Sequence, residues 1–218
     1  MLTPISFLVV DDHPIFRQGL VALIQTQEQY NVRYEAGSIV EALERLNTFV
    51  PDIAIIDISL QNQSGLDLVR QMRQSYPTVK ILIISMHDEV VYASRALKAG
   101  AMGYVMKQEP ASLILEAIQT VLNGKIYVSA VMRDRLLEMV FLHRDENEAI
   151  STEVLSDREL EVLDLMGQGY GAVDIAKLLT LSVKTVNAHY DHIKDKLKMP
   201  STSELRRYAV KWIQHRDR

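Results

Sequence analysis

The feature that most constrains this chain is an alternation. Five times before residue 124, a short run rich in Val and Ile gives way to a helix-length stretch of mixed polarity. The runs are Ile5–Val10, Val32–Ala36, Ile53–Asp57, Val79–Ser85 and Met102–Met106, mainly apolar, as parallel strands covered on both faces must be. Helical periods fall at roughly 14–27, 39–48, 65–75, 88–99 and 110–123, with Gly100 and Gly124 placed to end two of them in the left-handed conformation. Repeated strand–helix units close by right-handed crossovers, so an α/β doubly wound five-stranded parallel sheet is expected.

The alternation stops at 124. Residues 129–143 have helical spacing, and 144–153 (RDENEAISTE) are polar, as an exposed linker is. No strand pattern follows; short helices are expected at about 157–167, 171–179, 182–197 and 201–217. The expected division is 1–124 as one domain, 125–153 as a linker with its own helix, and 154–218 as an all-α domain. A length of 218 residues accommodates two such cores without a disulfide or metal staple. The absence of cysteine excludes a disulfide scaffold, a thiolate zinc site and a cysteine nucleophile. No apolar run reaches membrane length, and the first residues lack the pattern of an export signal, so a cytoplasmic protein with no membrane partner is expected.

Net charge is −4 overall but unevenly spread: 1–124 carries −4, 125–150 carries −1 and 151–218 carries +1. Within the last part, 151–183 has 2 basic and 6 acidic residues, whereas 184–218 has 9 and 4, a charge of +5. A basic end on an acidic chain points to a negatively charged partner, against the plainer alternative of a solvated helical face.

In an open α/β sheet, ligands bind beyond the carboxyl ends of the strands, where the strand order reverses. Here the first strand ends in Asp11-Asp12, the third in Asp57 and the fourth in Ser85, and the fifth runs to Lys107. Three carboxylates held together repel and need a cation, and a hard oxygen set of this kind suits Mg²⁺. A lysine and a hydroxyl beside them fit phosphoryl oxygens, so phosphoryl transfer is the expected chemistry. Asp52, alone at its strand, is expected to be only a helix cap. His13, His87 and His143 are too scattered in the sequence to form a ligand set. The patterns of aspartyl-phosphate hydrolases (DxDx[TV]) and P-loop enzymes (GxxxxGK[ST]) are absent.

The stretches LVVDDHPIFRQGL (8–20), IAIIDISLQNQSGLDLV (53–69), ILIISMHD (81–88) and AGAMGYVMK (99–107) resemble the flavodoxin-like receiver domain of bacterial two-component response regulators. That resemblance implies that Asp57 accepts a phosphoryl group from a sensor histidine kinase. It implies Mg²⁺ held by Asp11, Asp12, Asp57 and the Ser59 carbonyl, with Ser85 and Lys107 on the phosphoryl oxygens. Tyr104 is implied as an aromatic switch that turns inward once Ser85 moves. Two positions depart from the family pattern: Leu60-Gln61 stands where Met-Pro is usual, which should loosen the loop after the third strand, and Gln108 follows Lys107 where Pro is common.

The segment LSDRELEVLDLMGQGYGAVDIAKLLTLSVKTVNAHYDHIKDKL (155–197) resembles the LuxR-type helix-turn-helix, and joined to a receiver it marks the NarL/FixJ family of transcription regulators. From the residues themselves, Ser156 and Ser182 sit as N-caps, the first with Glu159 at capping-box spacing. Gly167 and Gly169 are expected to break the chain. Ile175, Leu178 and Leu179 form one apolar face, and Val186, Tyr190, Ile193 and Leu197 form another. That leaves Lys184, Asn187, Ala188 and Asp191 exposed on the helix expected in the major groove, where Asn can pair with adenine and Ala can pack on a thymine methyl. Lys184, Thr185, His189 and Lys196 are placed for phosphates. Asp191 fits worst there. Of a pair with Lys194, a bond to a cytosine amino group, and a general weakening of nonspecific binding, the last is favoured. In the final helix, Leu205, Tyr208, Ala209, Trp212 and Ile213 share one face, with Trp212 equally suited to core and to pairing of two domains.

The expectation is therefore a DNA-binding regulator, not an enzyme. Phosphorylation should release the DNA-binding domain and favour a homodimer on double-stranded DNA, with RNA polymerase as a further partner. The alternative is a phosphate sink whose helix-turn-helix no longer binds specific DNA. Family departures at Gly171-Ala172, Asn187 and Asp191 leave the operator unassigned.

Overall fold

A computed structural model describes residues 4–60, 63–141 and 152–216. The chain divides into two compact units, Met1–Leu142 and His143–Arg218.

The first unit follows the expected alternation: β1 (Ile5–Val10), α1 (Pro14–Gln25), β2 (Tyr30–Ala36), α2 (Ile39–Thr48) and β3 (Ile53–Ile56). After β4 (Ser59–Leu60) and β5 (Gln63–Ser64) come α3 (Gly65–Ser75), β6 (Lys80–Ser85), α4 (Glu89–Ala99), β7 (Gly103–Met106), α5 (Ala111–Leu122) and α6 (Ala130–Phe141). The five-stranded sheet has order β2-β1-β3-β6-β7, all pairs parallel. The order reverses between β1 and β3, so the ends of these two strands flank the switch point. Phe7, Val9, Ile53, Ile55, Leu82 and Ile84 on one side of the sheet meet Leu20 and Ile24 of α1 and Ile114, Ile118 and Val121 of α5 in one core.

Four local features differ from expectation. β2 starts two residues earlier and alternates more buried with exposed positions, as an edge strand does, instead of being covered on both faces. Asp52 caps no helix: its Oδ2 accepts from the Ser6 N–H at 2.8 Å and the Ser6 hydroxyl at 2.6 Å, tying β3 to β1. The segment after β3, expected to be a loose loop, contains a two-stranded antiparallel pair (β4 with β5) and buries Leu60; Gln61 lies outside the described residues. Finally, the unit extends beyond 124. Tyr127 bridges to Gly103 at the β7 edge, the Tyr104 N–H donates to the Tyr127 carbonyl at 2.9 Å, and α6 packs on α4 with Met132 fully buried. The Glu89 carboxylate, in the first turn of α4, accepts from the Ser129 N–H at 2.7 Å and so fixes the start of α6.

The second unit is helical. A short 3₁₀ turn (Thr152–Val154) precedes α7 (Asp157–Gly167), α8 (Ala172–Leu178), α9 (Val183–Leu197) and α10 (Thr202–Arg216). The remainder of the expected linker, 144–151, and His143 lie outside the described residues. The predicted Ser156–Glu159 capping box and the Ser182 N-cap are both present. The α9 stripe Val186, Tyr190, Ile193 and Leu197 is buried, as are Leu205 and Ala209 of α10. Trp212 is half-buried. Gly167 is not the breaker. It is the last helical residue of α7, where an added Cβ would sit 2.5 Å from the Ala209 carbonyl oxygen, so its role is close approach to α10. Gly169, at φ +99°, is the left-handed exit. Leu178 does not join Ile175 in the core; α8 ends there, and Leu178 is 55% exposed.

Candidate functional site

β1 and β3 deliver Asp11 and Asp57 side by side because each strand is apolar up to its last turn and then stops on a carboxylate. Asp11 and Asp57 are almost fully buried. Lys107, just past β7 and 5% exposed, places its Nζ 2.7 Å from Asp11 Oδ2 and 2.7 Å from Asp57 Oδ2. Burial pushes the Asp57 carboxyl up to about 6, with Asp11 adding to the rise and Lys107 opposing it. At neutral pH Asp57 is thus mostly ionised and poorly solvated, which favours a nucleophile.

Asp11, Asp12, His13 and Asp57 each offer a ligand atom, all within 4.8 Å of one another. Two buried carboxylates against one lysine leave room for a further positive charge, and the oxygen-rich donor set fits a hard divalent cation. His13 stands far in sequence from His87 and His143. Its Nδ1 in fact lies 2.8 Å from Asp12 Oδ1 and 3.9 Å from Asp57 Oδ2. The signal for it is its place directly after the Asp pair at a strand end, not its spacing from the other histidines.

The loop after β6 closes the site. Ser85 is fully buried, and its hydroxyl accepts from the His87 N–H at 3.2 Å. His87 Nε2 is 2.8 Å from the Ser59 hydroxyl, and its ring stacks on Tyr92 with centroids 4.6 Å apart. The Ser59 N–H donates to Asp57 Oδ1 at 3.3 Å. Tyr104 is already inward: its ring is fully buried, and its hydroxyl donates to the His87 carbonyl at 2.7 Å. Burial raises its phenol well above the ordinary value, so it stays a donor. The expected inward turn is therefore not something this arrangement has still to make. The His87 carbonyl gives the hydroxyl a partner that makes burial of the ring affordable.

In the second unit, Lys184, Thr185, Asn187, Ala188 and Asp191 are exposed on one side of α9. Thr185 also serves the N-cap, its hydroxyl 2.7 Å from that of Ser182. Two residues expected on phosphates are placed otherwise. Lys196 Nζ is bound to Glu159 Oε2 at 2.7 Å, the same carboxylate oxygen that accepts from the Ser156 N–H, so it braces α9 against the α7 cap. His189 is half-buried, with its Nδ1 enclosed and unpartnered; burial and the nearby Arg158 lower its pKa, keeping it neutral. Asp191 Oδ1 is 2.9 Å from Lys194 Nζ.

A sheet with a phosphate-fitting acidic rim on one unit and a helix-turn-helix in the other define a receiver-controlled regulator. Residues 7–119 match the response regulator receiver domain, and residues 153–209 match the bacterial regulatory proteins of the luxR family. Among curated proteins, the oxygen regulatory protein NreC of Staphylococcus epidermidis is 37% identical over 212 residues, covering 94% of this chain and 97% of that protein. Among solved structures, a LuxR-family two-component response regulator from Aurantimonas is 33% identical with TM-score 0.59, covering 63% of this chain and 99% of its own. RcsB of Salmonella enterica serovar Typhimurium, bound to promoter rprA with phosphomimetic BeF₃⁻, shares the fold at 24% identity and TM-score 0.61, covering 95% of this chain and 99% of its own.

The chain belongs to the NarL/FixJ-type two-component response regulators, a receiver domain followed by a LuxR-type DNA-binding domain. It is a signalling regulator of transcription, not an enzyme. No helix among the described residues is long and apolar enough to cross a membrane.

Proposed function

We propose that Asp57 is the phosphoacceptor and that its phosphorylation by a sensor histidine kinase controls DNA binding by α9. The carrying observation is Asp57 itself: buried, ionised and 2.7 Å from Lys107 at the switch point of the sheet. An Asp57 carboxylate oxygen attacks phosphorus as the phosphorus–nitrogen bond to the kinase histidine breaks, the electron pair returning to the imidazole. Asp11, Asp12, Asp57 and the Ser59 carbonyl would hold Mg²⁺, which would supply charge neutralisation for the transferring group. Lys107 and the Ser85 hydroxyl hold the phosphoryl oxygens. Tyr104 keeps the 85–87 loop over the site through the His87 carbonyl. Ser59 and His87 border the site and limit water access.

DNA is contacted by Lys184, Thr185, Asn187 and Ala188, with Asp191 lowering affinity for all sequences. His189 borders this surface in its neutral form. Phosphorylation favours release of the 154–218 domain from the 1–124 domain and a homodimer on double-stranded DNA. RNA polymerase is the partner downstream, and the compartment is the cytoplasm, where DNA and polymerase are.

The test has two arms. Asp57→Asn is expected to abolish Mg²⁺-dependent labelling by acetyl phosphate; stoichiometric labelling of that variant overturns the acceptor assignment. Gel shift with genomic fragments, with and without acetyl phosphate, is expected to show phosphorylation-enhanced binding. Labelling without any specific shift would instead identify a phosphate sink. Release requires a 151–218 fragment to bind better than the full unphosphorylated chain.

A further inference from the structure

The Lys107 ammonium has a third neighbour besides its two carboxylates. Its Nζ lies 4.5 Å from the centroid of the Phe16 ring, on the first turn of α1. Asp11 and Asp57 take two of the three donors of the ammonium. The ring is itself anchored, because Phe16 packs against the core that α1 shares with the sheet. A cation over an aromatic face is attracted by the ring quadrupole, and more strongly where water is excluded, as it is around a side chain only 5% exposed.

The two kinds of contact fare differently during phosphorylation. When Asp57 is phosphorylated, one of its oxygens is committed to the new bond to phosphorus. Asp11, as a cation ligand, is then shared between Lys107 and the cation. Both carboxylate contacts of Lys107 therefore change, while the ring of Phe16 carries no group that reacts. We propose that Phe16 is a positioning residue for Asp57 phosphorylation, its ring face holding the Lys107 ammonium at the acceptor while the carboxylates around it change. The proposal rests on Asp57 being the phosphoacceptor.

A purely structural Phe16 would only fill volume, and the two roles separate by fluorination. Replacing Phe16 in the full chain by 4-fluoro-, 3,5-difluoro- and 3,4,5-trifluorophenylalanine drains the quadrupole stepwise with little change in size. Labelling by acetyl phosphate at saturating Mg²⁺ is then expected to slow stepwise, by about fivefold across the series, which corresponds to about 1 kcal/mol of cation–π attraction. The maximal rate should carry the fall, with the half-saturating Mg²⁺ concentration and the Tm in EDTA unchanged. Phe16→Leu should lose at least as much rate. A flat rate across the series on a wild type that labels normally overturns this inference alone. A wild type that does not label at all overturns the phosphoacceptor reading, and this one with it.

Discussion

Gly65 is the position where a single methyl group should disable the acceptor without touching any charge. An added Cβ would lie 1.9 Å from the Asp57 carbonyl oxygen, 2.9 Å from the Asp57 carbonyl carbon and 3.2 Å from Ile56 Cγ2. Two of these neighbours are backbone, so no side chain can rotate away. The Gly65 N–H also donates to the Ile58 carbonyl at 2.6 Å, which holds the start of α3 against the end of β3. Restoring an ordinary contact means separating the two segments by about 1.5 Å. Overpacking of this kind costs about 1–3 kcal/mol, a Tm fall of about 3–10 °C for a unit of this size. The carbonyl of Asp57 cannot shift without its carboxylate, which sits 2.7 Å from Lys107. A reacting group displaced by about 1 Å loses rate by about 100-fold. Gly65→Ala should therefore show a modest loss of Tm and a disproportionate loss of acetyl phosphate labelling, measured on one preparation by circular dichroism and by labelling time courses. Gly19→Ala is the control: nothing lies within 4 Å of its added Cβ, and in mid-helix it should stabilise by about 0.5–1 kcal/mol. A Gly65→Ala protein with wild-type labelling and a Tm within about 1 °C refutes the argument.

Three further outcomes are expected. Because the folded-state pKa of Asp57 is raised, its protonation contributes stability that is fully present below pH 3.8 and lost as pH rises through about 6. The wild type in EDTA should accordingly lose up to about 3 kcal/mol relative to Asp57→Asn across that window, and chemical denaturation showing parallel pH profiles for the two proteins would remove the claim. Thr180, a β-branched residue at φ +54°, closes a Schellman motif at the end of α8 through Thr180 N–H to Lys177 and Leu181 N–H to Ala176. Thr180→Asn should stabilise the second unit by about 0.5–1 kcal/mol in thermal melts, and a destabilised variant would show that the threonine side chain has a role of its own. Asp191→Lys should tighten binding to all DNA sequences alike and steepen log K against log salt by about one unit per phosphate gained; an effect confined to one operator base pair would make Asp191 a base reader instead.

The sheet and the acidic rim were legible because both depend on local rules. A strand buried on two faces has to be Val- and Ile-rich, and a strand that ends on Asp puts that Asp at the rim whatever else the chain does. Caps were legible for the same reason: the Ser156–Glu159 box needs only four residues. What the sequence hid were contacts between distant segments. Gly167 looks like a helix breaker until α10 is seen pressing its Ala209 carbonyl against it. Lys196 looks like a phosphate ligand until Glu159, 37 residues earlier, claims it. Asp52 looks like a cap until Ser6 arrives from β1. In each case the residue type was read correctly and the partner was missing, because hydropathy periods locate elements but not which element lies opposite.

The corrected placements sharpen the argument about affinity. The segment 184–218 carries +5, yet little of that charge stands on the exposed side of α9. Of the five exposed residues proposed to face DNA, Lys184 is the cation and Asp191 the anion. Lys194 is turned to Asp191 and Lys196 to Glu159. Arg206, Arg207 and Lys211 line a groove on α10 instead. Since each phosphate neutralised contributes about 0.9 to the salt slope, a single α9 has few such contacts to offer. Its neutral residues, Asn187 and Ala188, can discriminate bases but supply little general attraction. Two DNA-binding units held together make the second binding event intramolecular, and avidity then rises by orders of magnitude with no new contact on either unit. A reading helix with weak intrinsic attraction is thus what a regulator controlled by pairing requires. A helix basic enough to bind alone would leave phosphorylation little to control.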